Sequence, residues 1–381
     1  MAVGQDSADA STGPYRVMIV DDSAVIRGLL TRALESDPEI SIVASVQNGK
    51  IALSTLERQK VDVVVLDIEM PVMDGMTALP LIIKANPGVK VIMASTLTLK
   101  NAEISMQALQ AGAADYIPKP TSTGAISTAG DFKRELTEKV KALGLAARGR
   151  SPVAASAAAP AARASTGNVV AKPAAAKKPI ALRAMPTTVP DIIAIGSSTG
   201  GPQALFEVIK SIAGQVTQPI LITQHMPATF TKLLAEHISR VSGMTCSEAT
   251  DGEAIVGGQV YVAPGDFHMV LEDSGGKKII RLTQEPPENF CRPSVDPMLR
   301  SLSEIYGPRL LVLILTGMGS DGQRGSEVVT AAGGAVIAQD EATSVVWGMP
   351  GAVASNGLCS AVLPLKEIGP QLLKLVMRSA A

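Results

Sequence analysis

An alanine-rich stretch without a single carboxylate divides this chain. No Asp or Glu occurs between 139 and 190, and alanine dominates 151–184, where Pro152, Pro160, Pro173 and Pro179 break any long helix. Such a stretch has little to bury and reads as a mobile, weakly basic linker over 139–189. The 381 residues are also too many for one ordinary core. The expected plan is therefore two folded units, 15–138 and 190–381, joined by that linker.

Both units alternate apolar runs with segments of helical spacing. In the first, runs at 16–20, 61–66, 90–94 and 116–117 end at Asp21-Asp22, Asp67, Ser95 and Lys119-Pro120, with helical segments at 24–34 and 102–111 between them. In the second, runs at 191–195, 219–223, 259–263 and 309–315 lead into loops carrying Ser198, His225, Asp266 and Asp321. The alternation predicts α/β architecture twice: a flavodoxin-like doubly wound parallel sheet, then a second α/β domain with a mostly parallel sheet. Functional groups of such sheets gather at the carboxyl ends of the strands.

The first unit collects carboxylates there. Parallel neighbouring strands bring Asp21, Asp22 and Asp67 together, which is costly unless a cation compensates them. A hard divalent ion with oxygen ligands, Mg²⁺, is the natural choice, and it also neutralises an incoming phosphoryl group. Asp67 is the best phosphoryl acceptor, with Lys119 placed to pair with phosphoryl oxygens and Ser95 to sense their arrival. Asp21-Asp22, Asp67-x-x-x-Pro71-x-x-Asp74-Gly75, Ser95 and Lys119-Pro120 together resemble the receiver domains of bacterial response regulators. The resemblance implies a phospho-aspartate at Asp67. It also implies Mg²⁺ held by Asp22, Asp67 and the Glu69 carbonyl, with Asp21 assisting.

The second unit carries Gly196-Ser197-Ser198-Thr199-Gly200-Gly201 between a strand and a helix. A dinucleotide fingerprint fits poorly, because Ser198 stands where glycine is needed. A purely structural turn and a nucleophile turn around Ser198 both fit. A nucleophile needs a base, and the chain has only three histidines, at 225, 237 and 268. His237 lies in a helical segment and reads as an ordinary side chain. His268 is the runner-up. His225, directly after a strand, is best placed to meet Ser198. Asp321 is the strongest orienting carboxylate, with Asp266 and Asp296 as alternatives. Oxyanion donors would be backbone N–H groups near Thr199 and in the loop 317–319.

Five motifs in order sharpen this: Ile195-Gly196-Ser197-Ser198-Thr199-Gly200-Gly201, Gln224-His225-Met226-Pro227, Ala263-Pro264-Gly265-Asp266, Arg292-Pro293-Ser294-Val295-Asp296 and Leu315-Thr316-Gly317-Met318-Gly319-Ser320-Asp321-Gly322. They resemble the CheB family of chemotaxis methylesterases. The resemblance implies a Ser198, His225, Asp321 triad with an oxyanion donor at the Met318 amide. It implies hydrolysis of glutamyl methyl esters on chemoreceptor cytoplasmic domains, often with deamidation of receptor glutamines, and no cofactor in the esterase domain. It implies phosphorylation of the receiver by a histidine kinase of the CheA type, with the unphosphorylated receiver covering the active-site face. Ser197 departs from the alanine usual beside the nucleophile and is a rival hydroxyl.

Composition excludes other classes. A net charge of −1 and 3% aromatic residues argue against nucleic acid as a partner. The N-terminus has no secretory pattern and no apolar run is long enough to span a bilayer, so a cytoplasmic protein without membrane insertion is expected. Cys246, Cys291 and Cys359 are too scattered for a disulfide framework or a zinc site and read as inert thiols.

Overall fold

The computed structural model describes residues 13–96, 98–119, 126–149 and 180–377. The first unit runs β1 (Tyr15–Val20), α1 (Ala24–Glu35), β2 (Ile40–Val46), α2 (Gly49–Leu56), β3 (Val63–Asp67), α3 (Gly75–Ala85), β4 (Lys90–Ser95), α4 (Leu99–Gln110), β5 (Asp115–Pro118) and α5 (Ile126–Ala147). Its sheet has the order β2-β1-β3-β4-β5, and the paired strands are parallel. Strands covered on both faces by helices read as unbroken apolar runs, as β3 (Val-Val-Val-Leu-Asp) does up to its closing Asp67. The strand order reverses at β1 and β3, whose ends carry Asp21, Asp22 and Asp67. The chain returns to this crevice at Gly75, where a side chain is impossible: a Cβ would lie 2.0 Å from the Asp67 carbonyl oxygen.

The unit does not end at 138. Helix α5 continues to Ala147 because Leu136, Val140 and Leu143 recur on one face and are fully buried against the sheet. Just beyond it, Arg148 pairs with buried Asp62 at 2.7 Å, which Arg16 also engages. The expected linker start at 139 therefore falls inside a helix. The proline-rich part of that expectation, 150–179, lies outside the described residues.

The second unit runs β6 (Ile192–Ser197), α6 (Gly201–Ile212), β7 (Ile220–Gln224), α7 (Ala228–Ser242), β8 (Cys246–Glu248), β9 (Val260–Val262), β10 (His268–Ser274), β11 (Lys277–Thr283), α8 (Val295–Tyr306), β12 (Leu310–Ile314), α9 (Gln323–Ala331), β13 (Ala335–Gln339), α10 (Met349–Ser355), β14 (Ala361–Leu363) and α11 (Leu365–Val376). Seven strands pair in parallel in the order β14-β13-β12-β6-β7-β9-β8, and β10 with β11 forms a separate antiparallel hairpin. The main sheet changes direction between β6 and β12, so the loops after β6, β12 and β7 open at one crevice. Among the described residues no helix is long and apolar enough to cross a membrane.

The two units touch. Tyr116 of β5 stacks on Phe230 of α7 with ring centroids 4.2 Å apart. Gln203 of α6 donates to the carbonyl oxygens of Leu109 (3.0 Å) and Ala113 (2.6 Å). Gln110 meets His237, which also packs against Phe206. His237 is thus an ordinary side chain, as expected, placed at the contact between the units.

Candidate active site

Ser198 occupies the turn between β6 and α6. Its N–H donates to the Thr316 carbonyl at 3.0 Å, tying the turn to the end of β12. Its carbonyl accepts from Gly201 N–H at 2.7 Å and from Gln224 Nε2 at 3.0 Å. Gly317 passes so close that a Cβ there would sit 2.9 Å from the Ser198 Cβ. The rival hydroxyl does not compete for this position: Ser197 is fully buried and donates to Gln224 Oε1 at 2.7 Å. Gln224 thereby fixes Ser197, the Ser198 carbonyl and the neighbouring His225 carbonyl (3.2 Å) at once. Sequence reasoning missed it, although it stands directly before His225.

His225 follows β7, and its Nε2 lies 2.7 Å from Asp321 Oδ2. Asp321 is held by a dense set of donors. Oδ1 accepts from Asn289 Nδ2 (2.8 Å), Ser294 Oγ (2.8 Å), Gly322 N–H (2.9 Å) and Asp296 N–H (3.2 Å); Oδ2 also accepts from Val295 N–H (2.7 Å). Burial alone would raise the pKa of this carboxyl, but His225 and these N–H and O–H donors hold it at about 2. Burial likewise opposes the charged form of His225, yet Cys291 and Asp321 on either side raise its pKa well above the ordinary imidazole value. An ionised Asp321 beside Nε2 keeps the proton on that nitrogen and leaves Nδ1 as the basic one.

The alternatives are engaged elsewhere. His268 is buried; its Nδ1 accepts from Ser294 N–H at 3.1 Å and its Nε2 lies 3.2 Å from the Pro286 carbonyl, so neither nitrogen is free. Asp296 accepts from Gly325 N–H (2.7 Å) and Asn289 Nδ2 (2.9 Å), and burial together with the charge of Asp321 raises its pKa. Asp266 lines the same cavity as His225, with no hydrogen bond between the two side chains among the described residues. The N–H groups of Thr199 and Met318 make no hydrogen bond with other described residues. The Thr199 hydroxyl turns away from the site and donates to Asp115 Oδ2 of the receiver unit at 2.7 Å. Ser198, His225, Met318 and Asp321 line one cavity of about 1450 Å³, and α5 supplies its opposite wall. Arg134 of that helix lies over the Phe290 ring at 4.6 Å.

Of the three thiols, Cys246 and Cys359 fit the expectation of inert groups, since burial pushes both up to about 12. Cys291 does not. Its Sγ lies 3.3 Å from His225 Nδ1, inside the cavity.

At the receiver crevice, Asp21, Asp22 and Asp67 bring one carboxylate oxygen each within 4.8 Å of the others. Lys119 bridges Asp21 (2.7 Å) and Asp67 (2.6 Å), yet burial still raises the Asp67 pKa. Asp21 Oδ2 is buried and, among the described residues, faces only the shared Lys119 ammonium. Three carboxylates sharing one ammonium carry an excess of negative charge, which suits a hard divalent cation better than a closed ion-pair network. The Glu69 carboxylate pairs with Lys100 at the surface (3.4 Å) and is not part of this cluster; the implied ligand there was its carbonyl. Buried Ser95 bonds Ser105 of α4 (3.1 Å), and its carbonyl accepts from Lys119 N–H (2.7 Å).

Known proteins share both halves. Residues 17–130 match the response regulator receiver domain family and residues 193–372 the CheB methylesterase family. A protein-glutamate methylesterase/protein-glutamine glutaminase of group 2 operon from Rhodospirillum centenum is 62% identical over 97% of this chain and 95% of its own. The chain belongs to the CheB methylesterase family. A second CheB-type relative, protein-glutamate methylesterase/protein-glutamine glutaminase 1 of Paramagnetospirillum magneticum, is 60% identical over 98% of this chain and 99% of its own. The CheB methylesterase catalytic domain of Thermotoga maritima is 43% identical, covers 50% of this chain and 100% of its own, and gives a TM-score of 0.48.

Proposed function

We propose that this chain is a phosphorylation-activated protein-glutamate methylesterase and protein-glutamine glutaminase acting on chemoreceptor cytoplasmic domains. The observation that carries the reading is the 2.7 Å His225–Asp321 pair beside the Ser198 turn at one sheet crevice. Ser198 Oγ attacks the glutamyl ester carbonyl while His225 Nδ1 takes its proton. The imidazolium formed is stabilised by Asp321 and protonates the leaving methanol. Water then enters, His225 takes its proton in turn, and the acyl-serine is hydrolysed to glutamate. The N–H groups of Thr199 and Met318 stabilise the oxyanion, which fits their lack of other partners. With a glutamine substrate the leaving group is ammonia.

The receiver half, 15–148 in this reading, controls access. Asp67 accepts a phosphoryl group from a histidine kinase of the CheA type. Asp21, Asp22, Asp67 and the Glu69 carbonyl would hold Mg²⁺, which neutralises the phosphoryl oxygens when bound. Lys119, now bridging Asp21 and Asp67, is positioned to pair with the new phosphate, and Ser95 to move toward it. Because Ser95 bonds α4, and α4 and β5 face the catalytic half, this rearrangement weakens the closed contact. The enzyme works in the cytoplasm, where receptor signalling domains and kinase are found.

The test is methanol release from a methylated chemoreceptor cytoplasmic domain, with and without a small-molecule phosphodonor and Mg²⁺. Release that rises with the donor is the expected result. No release in either condition from folded protein would remove the ester chemistry and leave the receiver reading standing.

A further inference from the structure

A thiol holds the nitrogen that the proposed reaction needs. His225 has two ring nitrogens. Nε2 is committed to Asp321 at 2.7 Å, and Nδ1 faces Cys291 Sγ at 3.3 Å. Among the described residues no hydrogen bond joins the Ser198 hydroxyl to either nitrogen. With sulfur at hydrogen-bonding distance, Nδ1 is not open to Ser198 in this arrangement. We propose that Cys291 is a positioning residue for the catalytic base, bracing the His225 ring through a proton shared with Nδ1 until Ser198 and substrate displace the thiol.

Sulfur suits this role. A thiol is a weak hydrogen-bond partner, so it orients the ring without trapping it, whereas a hydroxyl binds more strongly. The position is also built. Cys291 follows Asn289 and Phe290, which both take left-handed backbone (φ 52° and 62°). Asn289 is anchored on Asp321 and Asp296, so the same short loop sets the acid and the thiol against opposite edges of the imidazole. The charged groups around the pair include Asp321, with Asp296 behind it; Asp266 and Arg292 on flanking loops; and, across the cavity, Asp37 and the Lys, Arg and Glu side chains that α5 presents between 133 and 141. All of these remain when Cys291 alone is changed, so a shift on its replacement reports the thiol. The direction for His225 agrees, since Cys291 is among the groups raising its affinity for a proton.

The inference rests on His225 being the base, but its test does not depend on ester hydrolysis. With only three histidines in the chain, His225 is followed by NMR in full-length protein carrying isotope-labelled histidine, its signal assigned by its loss in His225→Gln. Cys291→Ala should lower the His225 titration midpoint by about one pH unit, roughly tenfold in proton affinity. Cys291→Ser should lower it similarly, because the sulfur that helps raise the proton affinity of His225 is gone. The acid limb of phosphodonor-activated methanol release should move with it. Cys291→Ser should restore part of the kcat that Cys291→Ala loses, since it returns a brace to Nδ1, though one that lets go less readily. An unmoved titration in both variants overturns the proposal, and so does an equal loss of kcat in both with the acid limb fixed, which marks a merely structural side chain. If the alanine variant does not fold, the serine variant decides by the same titration. If no form releases methanol, the esterase reading fails while the titration still reads the shared proton.

Discussion

Asp321→Asn should cut methanol release about 10⁴-fold with the fold intact, and Ser198→Ala should reduce it at least as far. The aspartate acts through the imidazole. An amide there no longer accepts the Nε2 proton well, so the ring is free to take the wrong tautomer and the positive charge formed during attack loses its counterion. The Asp321 pocket supplies several N–H and O–H donors beside His225, and all of them favour the carboxylate. The neutral substitute should therefore also cost stability, read as a lower Tm, whereas Ser198→Ala should leave Tm nearly unchanged because its hydroxyl makes no hydrogen bond with other described residues. Ser197→Ala separates the two serines: it removes a buried bond to Gln224 and should lower the rate modestly rather than abolish it. Abolition by Ser197→Ala, with Ser198→Ala active, would reverse their roles.

Breaking the contact between the halves should have the opposite effect. Asp115 accepts from Thr199 across the interface and pairs with buried Lys139 at 3.3 Å, which Glu135 also engages at 2.9 Å. Burial alone would lower the Lys139 pKa, but these two carboxylates raise it, so the lysine stays charged and the cluster remains ionic. A hydrogen bond to a charged acceptor contributes about 1.5–3 kcal/mol. Losing it at Asp115→Ala should populate open molecules about tenfold more and raise methanol release of the unphosphorylated chain by a similar factor. The phosphodonor should then add correspondingly less, because a ligand or modification shifts an equilibrium only by its differential effect on the two states. Unchanged basal release, with full stimulation by the phosphodonor, would show that this contact does not restrain the enzyme.

Much of this architecture was legible before any coordinates. Strands buried on both faces read as unbroken Val and Ile runs, which is why β3 and β12 were found with nearly their true limits. The hairpin β10–β11 was missed, because Glu272, Asp273, Lys277 and Lys278 give it the polarity of a loop. Helix α5 was cut short for a related reason: after Glu138 the acid-free Lys and Ala composition resembles the linker. The spacing of Leu136, Val140 and Leu143 was the signal that the helix continues. The proposed triad of Ser198, His225 and Asp321 was legible because each lies in the loop that follows an apolar run. Asn289, Gln224 and Cys291 were not, since their importance lies in contacts made across the fold. Cys291 meets a histidine 66 positions away, and no local pattern announces such a pair.

The most direct test of a gated serine esterase is labelling of the full-length chain with a serine-directed organophosphonate, with and without phosphodonor and Mg²⁺, followed by mass mapping of the adduct. The account predicts one adduct, on Ser198, forming faster when Asp67 is phosphorylated and no faster with phosphodonor in an Asp67→Asn chain. An adduct on Ser197, no adduct at all, or a Ser198 rate indifferent to phosphorylation would contradict it.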